Sequence, residues 1–278
     1  MLKRILTTAG MAICVMGVLS LGACGTPEET EAAPGAASPE DIQPLAMLQL
    51  IPPREGDTIA ILHTNFGDIT MRFFPEETPL AYENFVTHAR NGFYDGVIFH
   101  RVLEDFMIQG GDPTGTGMGG ESIWGEGFGQ EMSLGLRHFR GAVAMAQTRL
   151  PNSINSQFYI VQSTHAGGLH PEIGDIREFL IELMDIPQDH RIGYRPDGTP
   201  LLLKELFPTA ALEKYLEYGG TPWLDLPFFN PQGGHTVFAH IIDGMDVVDA
   251  IAAVPVNRDG LPDDDVIIQS VTVTVYRP

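Results

Sequence analysis

The chain is predicted to be mainly β, an antiparallel sheet accompanied by a few helices, on three observations. Thr58-Ile59-Ala60-Ile61-Leu62-His63, a turn at Asn65-Phe66-Gly67-Asp68 and the alternating run Ile69-Thr70-Met71-Arg72-Phe73 read as a β-hairpin. Near the other end, Val266 to Tyr276 alternates, with Val271, Val273 and Val275 on one face. Between them the turn signal Tyr94-Asp95-Gly96 runs into Val97-Ile98-Phe99-His100-Arg101-Val102, whose period of two puts Val97, Phe99 and Arg101 together. At 278 residues and 44% hydrophobic, the chain can bury a substantial core.

In chain order, residues 1–23 read as a secretory leader: Lys3 and Arg4 form a basic start, Ile5 to Ser20 is mostly apolar, and Leu21-Gly22-Ala23 brings small residues to Cys24. The apolar stretch is shorter than the roughly 20 residues a membrane-spanning helix needs. Leu-Gly-Ala-Cys resembles a bacterial lipobox, which implies that Cys24 becomes the lipid-bearing first residue of a protein held outside the cytoplasmic membrane. The other cysteine, Cys14, leaves with the leader, so no disulfide is expected. Residues 24–55, rich in Ala, Pro and Glu, read as a flexible tether, with Ile42 to Ile51 apolar enough to dock on the domain that follows. That domain spans 56–278. The formal charge of −20 becomes −22 once Lys3 and Arg4 are removed, which argues against nucleic acid as a partner.

After the hairpin, Thr78 can cap and Pro79 can open a helix through Arg90, with Leu80, Ala81, Phe85, Val86 and Ala89 inward and Asn91-Gly92 ending it. Gly115-Thr116-Gly117-Met118-Gly119-Gly120 has the spacing of a dinucleotide fingerprint, but no helical pattern follows and no acidic residue lies about 20 positions on, so it reads as a wrapping loop. Residues 167–220 look like an added segment. In it Ile176, Phe179, Leu180, Leu183 and Met184, then Leu212, Tyr215 and Leu216, fall at helical spacing and predict two amphipathic helices. Asp243 to Val254 reads as a capped helix.

The densest stretch runs from Tyr94 to Ile160. Phe99-His100-Arg101 is followed by Phe106-Met107-Ile108-Gln109-Gly110-Gly111-Asp112, then Ala144-Met145-Ala146-Gln147, then Ser156-Gln157-Phe158-Tyr159-Ile160. These residue types suit an apolar pocket with a few convergent polar groups, one of them a permanently charged guanidinium. From alternation alone, the plainer reading is a sheet whose Arg101 snorkels to solvent over Phe99. The order of the pieces, however, closely resembles the cyclophilin-type peptidyl-prolyl cis-trans isomerases. Gly92-Phe93-Tyr94-Asp95-Gly96 before them, and His235-Thr236-Val237-Phe238-Ala239 and Asp243-Gly244-Met245-Asp246-Val247-Val248 after them, agree with it. The resemblance covers about Asp57 to Tyr276 and implies a closed eight-stranded antiparallel β-barrel capped by two helices, here with a helical insertion.

It also implies an enzyme without cofactor or metal, acting on X-Pro bonds of exported or unfolded polypeptides. By this resemblance Arg101 is the catalytic donor; Phe106, Met107 and Tyr159 line the proline pocket; and Gln109 steadies Arg101. His235 closes the far wall, and Ala146 and Gln147 meet the residue before proline through the main chain. Gln147 stands where the family usually has Asn, and Tyr159 where it often has Phe. Trp223 and Leu224 are candidates for the remaining wall, although Asp225 to Gly234 separate them from His235. None of the nine histidines sits in a metal-binding pattern such as His-Glu-x-x-His, and no Gly-x-Ser-x-Gly elbow suggests a hydrolase. The rival reading is a binding module or chaperone that keeps the pocket and uses residues 167–220 to hold a partner.

Overall fold

The computed structural model describes residues 47–164, 169–170, 174–194, 199–225 and 234–278. The leader, Cys24, the tether as far as residue 46, the start of the added segment at Gly167 and residues 226–233 lie outside the described residues. The strands are β1 Thr58–Thr64, β2 Gly67–Phe73, β3 Val97–Ile98, β4 Arg101–Leu103, β5 Met107–Gly110, β6 Ala142–Met145, β7 Phe158–Val161, β8 Leu169–His170, β9 Gly174–Asp175, β10 Arg191–Tyr194, β11 Pro200–Leu202, β12 Val237–Asp243 and β13 Ile267–Val275. The helices are α1 Pro79–Arg90, α2 Ile176–Met184, α3 Leu203–Leu206, α4 Thr209–Tyr218 and α5 Met245–Ala252.

Nine strands make one antiparallel sheet in the order β3-β13-β1-β2-β12-β6-β7-β5-β4. Its two ends, β3 and β4, are separated in the chain by Phe99 and His100 alone. The sheet therefore curls round to bring its first and last strands together. Inside the curl, period-two alternation points Leu62, Ile69, Met71, Val102, Ile108, Val143, Phe158, Ile160 and Phe238 into one core. Helix α1 fills it with Phe85, whose ring meets Tyr94 at 4.9 Å, Phe158 at 5.3 Å, Phe238 at 5.5 Å and Phe73 at 5.6 Å. Helix α5 adds Val248 and Ile251.

Several local expectations are corrected. The strand breaks at Phe99-His100, so Phe99 and Val102 both turn inward while Arg101 faces out; it does not share the face of Val97 and Phe99. Thr78 makes no cap, its hydroxyl bonding the Phe74 carbonyl instead. The first N–H groups of α1, from Leu80 and Ala81, donate to the two carboxylate oxygens of Glu131, each at 2.9 Å, a cap that sequence spacing hides. Leu80 lies exposed on the outer side of that helix. The last helix is shorter than Asp243 to Val254, and Gly244 precedes it in the left-handed region. Val271 and Val273 pack against the core, but Val275 is exposed.

The two amphipathic helices expected within residues 167–220 are α2 and α4, which pack on each other and bury Ile176, Phe179, Leu180 and Leu183, and Ala211, Leu212 and Tyr215. Short helix α3 and two two-stranded ladders, β8-β9 and β10-β11, accompany them. At the other end, residues 47–51 dock on the domain through Gln49, which is only 5% exposed. Its amide donates to the Arg137 carbonyl at 2.8 Å and its oxygen accepts the Arg137 N–H at 2.6 Å, so one side chain pairs as a strand would. The same amide lies 3.3 Å from Nδ1 of His240.

Two predictions follow from this packing. Phe85→Ala should cost about 3–5 kcal/mol in urea denaturation, because an aromatic hub is lost and the curled sheet cannot collapse onto the hole. Burial and the neighbouring Arg72 push the His240 pKa down to about 4, below the unfolded value near 6.5. The unfolded chain therefore binds the proton first as pH falls. Stability present above about 6.5 should decline toward pH 4 by on the order of 3 kcal/mol, and His240→Gln should flatten that slope in urea midpoints measured from pH 7 to pH 5.

Candidate active site

The inside of the curl is full, so a site must form on its outer face. There the register sets one row across four strands: Arg101 opposite Gln109, Gln109 opposite Tyr159, and Tyr159 opposite Ala144. A second apolar cluster covers this face, built from Met107, Ala142, Ala144, Tyr159, Val161 and Val237, with Phe106, Ala146 and Leu224 packed against it. A cleft of about 240 Å³ opens in it, lined by Arg101, Phe106, Met107, Gln109, Ala146, Gln147, Tyr159, Leu224 and His235. Every expected pocket residue except Trp223 lines this cleft. The Trp223 ring instead meets that of Phe106 at 5.9 Å.

The polar groups of the cleft are oriented by a chain that begins outside it. Asp112 is fully buried and accepts from Thr114 N–H at 2.8 Å, Thr116 N–H at 3.2 Å and Gly119 N–H at 3.0 Å. Burial alone would raise its pKa, but these hydrogen bonds hold the carboxyl below its ordinary range. Gly119 has no substitute here, since a Cβ would lie 2.3 Å from Asp112 Oδ1. The loop so folded presents the carbonyls of Gly117 and Gly119 to Nε2 of Gln157, at 3.1 and 2.8 Å. Two acceptors on one side leave Gln157 Oε1 facing Gln109, whose Nε2 donates to it at 2.9 Å. Gln109 Oε1 is thereby left for Arg101, 3.5 Å from Nη1.

That contact is long, so the guanidinium is aimed without being used up. Among the described residues Arg101 has no carboxylate partner. Desolvation lowers its pKa from the usual guanidinium value, and the group stays charged. On the opposite wall, burial pushes the His235 pKa down to about 4. His235 is thus a neutral ring near pH 7, a wall rather than a proton donor. The side chain of Gln147 is held between Gln130 Nε2, which donates to its oxygen at 3.0 Å, and the Gly234 carbonyl at 2.6 Å. The Ala146 N–H is taken by the Gln157 carbonyl at 2.9 Å.

Sequence reasoning missed Gln157, although it stands inside the Ser-Gln-Phe-Tyr motif. It also missed Gln130, and His138 with Asp225 behind Tyr159. Gln157 was legible in principle, since it falls two residues before Tyr159, on the same face of an alternating run. Gln130, His138 and Asp225 carry no local signal, being brought to the pocket from 17 to 104 positions away from their partners. Taken together, the cleft can hold a flat apolar ring against Phe106, Met107, Tyr159 and His235 while presenting open guanidinium N–H groups at its edge.

Comparison with known proteins agrees with this geometry. The family described as cyclophilin type peptidyl-prolyl cis-trans isomerase/CLD matches residues 59–194 and 204–273, so its gap falls at 195–203 and not at the ends of the added segment. A protein of Staphylococcus aureus (strain USA300) named as a peptidyl-prolyl cis-trans isomerase is 42% identical over 220 residues, 79% of this chain and 93% of that one. A crystal structure of a Cryptosporidium parvum cyclophilin type peptidyl-prolyl cis-trans isomerase superposes with a TM-score of 0.54 at 26% identity, covering 80% of this chain and 99% of that one. A second structure of that protein, in the presence of the dipeptide Ala-Pro, gives 0.53 at 27% identity, covering 78% and 98%. With its curled antiparallel sheet, its outer cleft and its unspent arginine, the chain belongs to the cyclophilin-type peptidyl-prolyl cis-trans isomerases.

Proposed function

We propose that the cleft on the outer face is the isomerase active site, that Arg101 is its catalytic donor, and that the protein works on X-Pro bonds of exported polypeptides outside the cytoplasmic membrane. Rotation about a peptide bond is slow because the nitrogen lone pair is delocalised into the carbonyl, a barrier of about 18–20 kcal/mol. At the twisted transition state the prolyl nitrogen regains that lone pair and can accept a hydrogen bond. A donor that bonds it only then lowers the barrier without tightening the ground state. The observation that carries this reading is the Arg101 guanidinium, steered by Gln109 at 3.5 Å and free of any carboxylate among the described residues, at the edge of an apolar cleft.

At about 240 Å³ the cleft is smaller than the roughly 300–1,000 Å³ that take drug-sized ligands, which suits one proline ring. Phe106, Met107, Tyr159, Leu224 and His235 would hold the ring. With the Ala146 N–H occupied, the Gln147 N–H is the main-chain donor left to meet the residue before proline. The Ala-Pro dipeptide of the Cryptosporidium parvum structure supports a substrate of this class. We also read β3 and β4 as one strand bent at Phe99-His100. Counted so, nine strands become eight and the curl becomes the closed barrel expected of the family.

Export rests on the leader and on Leu21-Gly22-Ala23-Cys24, which support a lipid anchor at Cys24 followed by a tether. Acting beside a membrane through which unfolded chains emerge would place the enzyme where X-Pro bonds still exchange slowly.

Measured on a short Ala-Pro peptide, Arg101→Ala in the full chain should lower kcat/KM by roughly 10²-fold. Arg101→Lys should not restore it, because a point charge lacks the planar fork. Equal rates for wild type and Arg101→Ala would sink the assignment. In cells, Cys24→Ala should move the protein from the membrane fraction to the soluble one; unchanged membrane retention would refute the anchor.

A further inference from the structure

Behind Tyr159 lies a polar cluster that the reaction does not call for. His138 is fully buried, with Nδ1 at 2.6 Å from Asp225 Oδ1 and Nε2 at 2.9 Å from the Tyr159 hydroxyl. Asp225 Oδ1 also accepts the His138 N–H at 3.2 Å, while Oδ2 accepts the Tyr215 hydroxyl of α4. Arg137 supplies the counter-charge, Nη1 at 3.9 Å from Oδ2. The α4 end of the cluster is fastened to the residues around His138. Gly219 and Gly220 follow α4 directly, and Gly220 bridges Phe139, Thr221 N–H donates to the His138 carbonyl at 2.8 Å, and Arg140 N–H donates to the Gly219 carbonyl at 3.2 Å. Gly220 has a φ of 128°, and a Cβ there would sit 2.3 Å from the His138 carbonyl, so this seam needs glycine.

We propose that His138, Asp225 and Tyr215 are positioning residues that act as one unit on Tyr159, so that helix α4 of the added segment holds the floor of the proline pocket from behind. The donor directions at Asp225 are forced. A carboxylate only accepts, so both Tyr215 and His138 Nδ1 donate to Asp225. In the proposed arrangement His138 carries its one ring proton on Nδ1, and the bare Nε2 accepts from Tyr159. Burial, reinforced by Asp225, pushes both tyrosine pKa values well up, so both hydroxyls keep the proton this arrangement requires. The same carboxylate ends the 3₁₀ turn Pro222–Asp225, and thereby sets Leu224 in the cleft and Trp223 against Phe106. A tyrosine in place of the family's phenylalanine is thus tied to a partner set that α4 completes. This inference rests on the proposed role of the cleft, in which Tyr159 is a pocket wall.

The test is a double-mutant cycle with hydroxyl-only deletions, which leave the rings and their packing in place. In the full chain, Tyr159→Phe and Tyr215→Phe should each lower kcat/KM on an Ala-Pro peptide by about 5-fold. The double variant should fall no further than Tyr159→Phe alone. If Tyr215 merely packs α4, the two losses multiply, or Tyr215→Phe changes stability and not rate; either result overturns the proposal. Ring ¹⁵N shifts of His138 give a readout independent of turnover. The proton should sit on Nδ1 with Nε2 bare, and Tyr215→Phe should move both shifts. A proton on Nε2, or shifts indifferent to Tyr215→Phe, overturns it. A wild-type chain that leaves the peptide at its uncatalysed rate would instead refute the active-site assignment, and the ring shifts would still decide the unit.

Discussion

A sheet whose first and last strands are joined by only two residues cannot lie flat. Phe99 and His100 connect β3, which pairs with β13, to β4, which pairs with β5, and every other strand has to fit on the arc between them. The curl has an inside that only side chains of the right bulk can fill, and Phe85 with its ring of aromatic neighbours does so. Because alternate residues face opposite ways, the strands that fill the inside also dictate what stands outside. The row Arg101, Gln109, Tyr159 is the outer complement of Val102, Ile108, Phe158 and Ile160.

The cleft is assembled from two directions. From the front, Asp112 folds a glycine loop whose carbonyls orient Gln157, which orients Gln109, which leaves an acceptor for Arg101. Each link has only one sense, because an amide that gives its N–H groups to carbonyls must turn its oxygen the other way. From behind, Asp225 gathers donors from His138 and Tyr215. The two sets differ in purpose. The front chain points a cation into the cleft, whereas the rear cluster keeps charge and polarity behind an aromatic wall. In a chain of formal charge −20, with 36 acidic residues, an arginine with no carboxylate partner among the described residues is a selective feature of the site. A carboxylate beside it would take up the guanidinium donors that now face the cleft.

Much of the fold was legible because it is local. The hairpin at 58–73, helix α1, the amphipathic helices α2 and α4 and the closing strand all announce themselves by period and punctuation. What failed to be legible was set by distant partners. Glu131 displaces Thr78 as the cap of α1 from some fifty positions away. The break at Phe99-His100 resets the alternation, so Arg101 lies opposite the face that a continuous strand would give it. For the site, the resemblance supplied most of the lining residues, but Gln157 and the His138-Asp225 pair needed the register and the loops in three dimensions.

By itself, then, the amino-acid order determined the mainly antiparallel β class, the wrapping loop in place of a nucleotide site, and the run of motifs, with Arg101, Phe106, Met107, Gln109 and Tyr159, that resembles one family. Period and motif encode these within a few residues of chain. Tertiary structure alone decided which face each of them takes, that Leu224 lines the cleft while the Trp223 ring meets that of Phe106, and that Tyr215 and His138 meet at Asp225. Those outcomes depend on hydrogen bonds between groups far apart in the chain, and such bonds leave no pattern in the sequence on either side.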